Sequence, residues 1–260
     1  MSRSKRRRGI YLLPTAFTVA NVFCGFYSIV CSMNGRLERA ALLIGLAVLF
    51  DLLDGRVARL AKATSEFGKE FDSLADVISF GVAPAVLVYS WGLGLLPRVG
   101  WLACFLFVIC GSMRLARFNI QQKVVDKRFF VGMPIPAAAG VPASIVFMFP
   151  EPLASPAETF PLLILILVLA FLMVSTLRFY SFKDLGLRRR PAYLTILILA
   201  LLFVAIGTHP QSMLLGMATS YMISGPALKL YSLLRRRKGI PGLVPDESAA
   251  TTAGTKELDG

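Results

Sequence analysis

The stretch D-L-L-D-G-R-V-A-R at residues 51–59, followed eight residues later by G-K-E-F-D-S-L-A-D at 68–76, decides how this chain is read. It sets Asp51, Asp54, Asp72 and Asp76 into otherwise apolar surroundings. A carboxylate at the centre of a membrane helix costs roughly 2.5–3.5 kcal/mol on insertion scales. Four that face one another also repel, and the cheapest relief is a hard divalent cation, which prefers oxygen ligands. Helix positions three, four, seven or eight apart share a face. Asp51, Asp54, Gly55, Ala58 and Arg59 therefore line one side of one helix, and Gly68, Asp72 and Asp76 form a stripe on the next. A hairpin through 60–67 brings both carboxylate pairs to similar depth on one polar cleft. Gly55 and Gly68, and less completely Ala58, leave room there for a ligand against the backbone. The blander alternative is helix-end ion pairing to Arg56, Arg59 and Lys69. It accounts for a single aspartate well, and for four aligned ones beside small residues poorly.

The surroundings belong to a membrane. Of 260 residues 56% are hydrophobic, and mean hydropathy is +0.67, whereas soluble domains are about 45–50% apolar. Apolar runs recur near 12–33, 39–53, 77–97, 99–112, 135–150, 161–177, 192–208 and 211–234. The second and third extend to about 60 and back to about 71 as amphipathic ends that carry the aspartates. A span needs about 20 residues, so about eight transmembrane helices with short connections use nearly the whole chain. The expected fold is an all-α, polytopic integral-membrane bundle. It divides into a basic N-terminus at 1–11, a membrane catalytic domain at 12–238 and a polar, mobile tail at 239–260.

The net charge of +13 would suggest nucleic acid in a soluble protein. Here the basic residues gather in alternate connections: Arg3, Lys5 and 6–8; Arg56, Arg59, Lys62 and Lys69; Arg114, Arg117, Lys123, Lys127 and Arg128; Arg178, Lys183 and 188–190; and 235–238. The intervening connections hold only Arg36, Arg39 and Arg98. The positive-inside rule then puts both termini and the aspartate segment on the cytoplasmic side. It also favours anionic lipid headgroups over nucleic acid as the partner. Tyr89, Trp91 and Trp101 fit an aromatic belt at the outer face. Cys24, Cys31, Cys104 and Cys110 lie in apolar runs without metal spacing, so reduced core residues are expected. His209, beside Pro210, reads as a surface turn residue. The first apolar run is too long for a signal-peptide core and lacks a cleavage pattern, so its helix is expected to be retained.

The spacing D-x2-D-G-x2-A-R-x8-G-x3-D-x3-D resembles the CDP-alcohol phosphotransferase signature at every defined position. The resemblance implies transfer of a substituted phosphoryl group from a CDP-linked donor to an alcohol within the membrane. It implies a divalent metal, Mg2+ or Mn2+, on Asp51, Asp54, Asp72 and Asp76, with Asp76 also the general base. Gly55, Arg59 and Ser65 match positions that contact the CDP moiety. The implied fold is a six-helix core, commonly homodimeric, to which two further helices are added here. Four other stretches, L-P-T-A-F-T-V-A-N-V-F-C-G-F-Y (13–27), D-V-I-S-F-G-V-A-P-A (76–85), R-L-A-R-F-N (114–119) and F-V-G-M-P-I-P-A-A-A (130–139), look like the family's bacterial and archaeal phosphatidylserine synthase branch. That branch implies CDP-diacylglycerol as donor, L-serine as acceptor and a site in the cell membrane that faces the cytoplasm.

Beyond the signature, several residues keep two readings open. Arg114 and Arg117 can bind an acceptor carboxylate or donor phosphate, or serve as positive-inside anchors. Thr18 and Asn21 can hydrogen-bond the nucleotide or pack helices. Ser79 can contact substrate or bond back within its own helix. Pro84 is expected to kink the third helix, and Pro134 and Pro136 to start the fifth. Other acceptors, such as glycerol 3-phosphate, inositol phosphate or choline, would use the same chemistry. A cation transporter remains the reading from another class, because intramembrane acids often mark ion pathways. No acidic relay continues across the bilayer in its support.

Overall fold

In a computed structural model, residues 2–60, 66–121, 129–180 and 207–237 are described. The apolar runs become helices: α1 (Ser2–Met33), α2 (Leu37–Leu60), α3 (Glu66–Asp76), α4 (Ala83–Trp91), α5 (Gly100–Gln121), α6 (Ile135–Met148), α7 (Pro156–Val174) and α8 (Pro210–Arg237). A π-helical segment, Val77–Val82, joins α3 to α4 into one continuous rod. Two three-residue strands depart from the all-helical expectation, β1 (Phe129–Val131) and β2 (Arg178–Tyr180), paired antiparallel with Phe130 opposite Phe179. The expected run at 192–208 lies almost wholly outside the described residues. Among the described residues four helical stretches are long and apolar enough to cross a membrane: Ala16–Met33, Glu66–Trp91, Gly100–Ile120 and Pro156–Val174. Helix α2 is less apolar because Asp51, Asp54 and Arg56 interrupt its second half.

Local sequence explains the joints. Gly35 turns the chain between α1 and α2 at φ +71°, a left-handed conformation that favours glycine. Pro134 caps α6 and Pro136 lies in its first turn, where a missing N–H costs nothing. Ser155 caps α7: its hydroxyl accepts from Glu158 N at 3.3 Å, and Glu158 reaches back to Ala154 N, a capping box one residue out of its usual register. Pro84 sits just after the π segment, and its missing N–H removes a hydrogen bond from the preceding turn. The rod adopts i→i+5 bonding there, with Ala83 N donating to Ile78 O.

Helix α1 organises what surrounds it. Thr18, Asn21, Gly25, Ser28 and Ser32 recur at alternating three- and four-residue spacing, and all are buried. That spacing makes one continuous seam along a helix. It packs on α2, α3, the π segment and α4. Ser28 Oγ donates to Ala40 O of α2 at 2.8 Å. Gly25 lets the backbones approach: a Cβ there would lie 2.6 Å from Ser79 Cα. Small residues at such crossings are how membrane helices gain contact. The opposite face of α1, with Val19, Phe23 and Phe26, is exposed. Helices α5 and α7 pack together, α6 packs on α2, and α8 packs on α6.

Trp91 is buried and its indole Nε1 donates to Glu151 O at 2.8 Å. It ties α4 to the connection between α6 and α7 and leaves the expected belt, whereas Tyr89 and Trp101 are exposed. The indole N–H needs an acceptor once buried, which explains the placement. Cys24, Cys31, Cys104 and Cys110 are free thiols, the first three buried.

Candidate active site

Asp51, from α2, and Asp72 and Asp76, from α3, present carboxylate oxygens that all lie within 4.8 Å of one another. Helical spacing brings this about: four residues separate Asp72 from Asp76, so both project from one side of α3. Asp51 and Asp72 are half-buried, and Asp76 is buried. Helix α1 packs against both acidic helices, and α2 contacts the continuous rod chiefly at α4. Thr18 and Asn21 of α1 stand beside Asp54 and Asp76.

Asp54 departs from the expected foursome. It is buried, and its carboxylate accepts a hydrogen bond from the Thr18 hydroxyl of α1. It remains within electrostatic reach of Asp51 and Asp72, but the tight cluster is formed by the other three. Thr18 thus orients an aspartate. Helical periodicity puts Asp51 and Asp54 on one face but does not specify which neighbour each side chain chooses.

The remaining expected site residues separate into groups. Asn21 is fully buried beside Asp76. Ser79 is buried in the π segment. Its hydroxyl donates to Asn21 O of α1 at 3.0 Å, so it bonds neither within its own helix, as one expectation had it, nor toward the cluster. Arg114 of α5 is buried and within electrostatic reach of Asp76, whereas Arg117 is exposed. Gly55 and Gly68 are half-buried. Ala58 and Arg59 belong to the last turns of α2, their side chains outside the described set, and Ser65 lies outside the described residues. Lys69 pairs with Glu66 at 2.7 Å and Arg56 is exposed. Of the partners in the helix-end alternative, Arg56 and Lys69 form no ion pair with the four aspartates, and the Arg59 side chain lies outside the described set.

One further tie escaped sequence reading. Asn119 Nδ2 of α5 donates to Ser73 Oγ at 2.9 Å, one residue beyond Asp72. Asn119 closes the stretch R-L-A-R-F-N, but nothing in the sequence says that it reaches α3.

The site fits a divalent cation. Carboxylate oxygens are the ligands hard cations select, three are brought together here, and Asp76 Oδ1 is buried without a hydrogen-bond partner among the described residues. Residues 11–176 match the family model described as CDP-alcohol phosphatidyltransferase, and the chain belongs to that family. Among its relatives, the CDP-diacylglycerol–serine O-phosphatidyltransferase of Helicobacter pylori (strain ATCC 700392 / 26695) is 40% identical over 196 residues, which cover 75% of this chain and 83% of that one. The Bacillus subtilis (strain 168) protein of the same name is 36% identical over 171 residues, 66% of this chain and 91% of that one. The archaetidylserine synthase of Methanothermobacter thermautotrophicus is 43% identical over 141 residues, 54% and 59% of the respective chains.

Proposed function

We propose that this protein is a membrane-embedded, metal-dependent transferase that moves the phosphatidyl group of CDP-diacylglycerol to the hydroxyl of L-serine and releases CMP. The observation that carries the chemistry is the meeting of the Asp51, Asp72 and Asp76 carboxylate oxygens, all within 4.8 Å of one another. The names of the relatives support serine as acceptor. Asp51, Asp72 and Asp76, joined by Asp54, hold Mg2+ or Mn2+. When bound, the cation neutralises pyrophosphate charge and eases departure of CMP. Gly55, Ala58, Arg59, Ser65 and Gly68 line the path of the CDP moiety, with Arg59 suited to phosphate oxygens by its planar fork. Thr18 acts through Asp54, which it holds in place.

Asp76 is the general base. A serine hydroxyl is a weak nucleophile at neutral pH and needs a base within hydrogen-bond reach. The Asp76 carboxylate takes the hydroxyl proton as the serine oxygen bonds to the lipid-side phosphorus, and the bond from that phosphorus to the CMP oxygen breaks. Phosphatidylserine and CMP are the products. The match over 11–176 runs from α1 through α7 and supports a six-helix core when Glu66–Trp91 is counted as one rod. Helix α8 and the run at 192–208 are the additions that bring the total to eight spans. The membrane domain is 12–238, flanked by a basic cytoplasmic N-terminus at 1–11 and a cytoplasmic tail at 239–260. The working form is a homodimer in the cell membrane with its site toward the cytoplasm.

The test is CMP release by purified protein with CDP-diacylglycerol, a divalent cation and a panel of labelled alcohols. Serine alone is expected to support transfer, and a chelator to abolish it. Preferential transfer to glycerol 3-phosphate, inositol phosphate or choline would replace serine in this reading. At saturating cation, Asp76→Asn is expected to retain donor binding better than turnover, which falls by at least about 100-fold, in the range general bases contribute. Full turnover in that variant would remove Asp76 as base.

A further inference from the structure

The helix that carries two of the three clustered carboxylates is held unevenly. Helix α3 packs on α1 and on the π segment, and it is buried toward its far end, at Ala75 and Asp76, while Phe67, Lys69 and Glu70 are exposed. Asp72 lies between these regimes, half-buried, with its carboxylate in the acidic trio. One residue on, Ser73 makes two hydrogen bonds. Its hydroxyl donates to Lys69 O one turn back at 3.0 Å and accepts from Asn119 Nδ2 of α5 at 2.9 Å. A hydroxyl has a single proton to give, so with Lys69 O as its acceptor the Asn119 amide must supply the other bond. The bond to Lys69 is local, of the kind a mid-helix serine makes anywhere. The bond to Asn119 spans 46 residues of sequence. Asn119 stands in the last turn of α5, a helix fixed by packing on α7, α4 and the π segment. It closes the stretch R-L-A-R-F-N, and the reaction above gives it no part.

Ser73 follows Asp72 by about 100° around the helix, so its bond to Asn119 bears on the setting of α3 and not on a carboxylate. Side chains extend roughly 5–6 Å from a helix axis. A rotation of α3 by about 10° therefore carries the Asp72 carboxylate about 1 Å, well outside the ~0.2 Å within which metal–ligand distances are held. We propose that Asn119 is a positioning residue for the cation: its hold on Ser73 sets the rotation of α3 that brings Asp72 to the ion. The last turn of α5 thereby governs cation affinity from outside the ligand set. This rests on the metal-dependent reading above and names a residue that tunes it. Were the bond only glue between helices, its loss would lower stability and leave cation affinity alone.

Ser73→Ala and Asn119→Ala break the same bond from opposite ends. Mn2+ binding to the purified proteins in detergent, without substrate, is titrated by the paramagnetic resonance of the free ion. Each single variant is expected to weaken Mn2+ affinity about tenfold, the lower end of the 10–100-fold lost when groups that orient metal ligands are removed. The double variant should be no weaker than either single one, since one interaction is lost in all three. Ser73→Thr, which keeps the hydroxyl, should bind as wild type does. Unchanged affinity in either single variant, additive losses in the double, or a Ser73→Thr protein as weak as Ser73→Ala would overturn the inference. A wild-type protein that takes up no Mn2+ would overturn the metal-dependent reading and this one with it. Mn2+ uptake by wild type with unaltered variants overturns this one alone.

Discussion

Replacing Asp72 with asparagine should make the metal-free protein more stable and the metal-bound protein less so. Oxygens of Asp51, Asp72 and Asp76 lie within 4.8 Å of one another. At an effective dielectric of about 20, two unit charges at that separation repel by ~3.5 kcal/mol. Asp72 takes part in two such pairs, so neutralising it relieves up to ~7 kcal/mol on the same scale. Relaxation of side chains and entry of water reduce the observable share to ~1–3 kcal/mol, the usual range for a point substitution. With metal the sign reverses. Loss of groups that merely orient ligands costs 10–100-fold in affinity, and loss of a ligand should exceed that. Thermal unfolding in detergent, with EDTA and then with saturating Mn2+, reads both effects. The asparagine variant should unfold at higher temperature than wild type in EDTA and gain little from Mn2+, whereas wild type gains several degrees. A variant that is less stable in EDTA, or that responds to Mn2+ as wild type does, would refute the claim that these three carboxylates share a cation.

Thr18→Val keeps the shape of the side chain and leaves the Asp54 carboxylate without its donor. It should cost ~1–3 kcal/mol in unfolding free energy, and Thr18→Ser should restore most of it. Equal stability of all three proteins would remove Thr18 as the support of Asp54. Gly25→Ala drives a Cβ to 2.6 Å from Ser79 Cα, so α1 must separate from the π segment. A fall of about tenfold or more in CMP release is expected, in keeping with the sensitivity of catalysis to misplacement on the order of 1 Å. Gly45→Ala, which meets nothing within 4 Å, is the matched control and should behave as wild type.

Much of the helical plan was legible because apolar length is a strong signal. The expected run at 99–112 became Gly100–Gln121 and that at 211–234 became Pro210–Arg237. Runs end where hydropathy ends, but helices continue while hydrogen bonds and caps allow, hence the longer observed elements. The aspartates were legible as two stripes, and three of them do meet. What periodicity could not convey was the choice made by Asp54, since a hydroxyl on α1 decides it. Ser79 illustrates the same limit: its partner, the Asn21 carbonyl, lies 58 residues away in sequence. The π segment was half visible. Pro84 announced a disturbance, but a widened turn and a kink arise from the same missing N–H. Trp91 read as a belt residue because aromatic placement depends on acceptors that sequence does not reveal.

The seam of Thr18, Asn21, Gly25, Ser28 and Ser32 has a consequence for how this chain can vary. Hydrocarbon solvates leucine as well as a protein interior does, so greasy contact gives little reason for α1 to hold its neighbours. Cohesion must come from short reach between main chains and from hydroxyls that find carbonyls. Tolerance to change along α1 is therefore periodic: Val19, Phe23 and Phe26 are interchangeable with other oily residues, while Thr18, Asn21 and Gly25 are not. A hydropathy profile rates polar members of that seam as the weakest part of the span, although they keep the acidic helices in register.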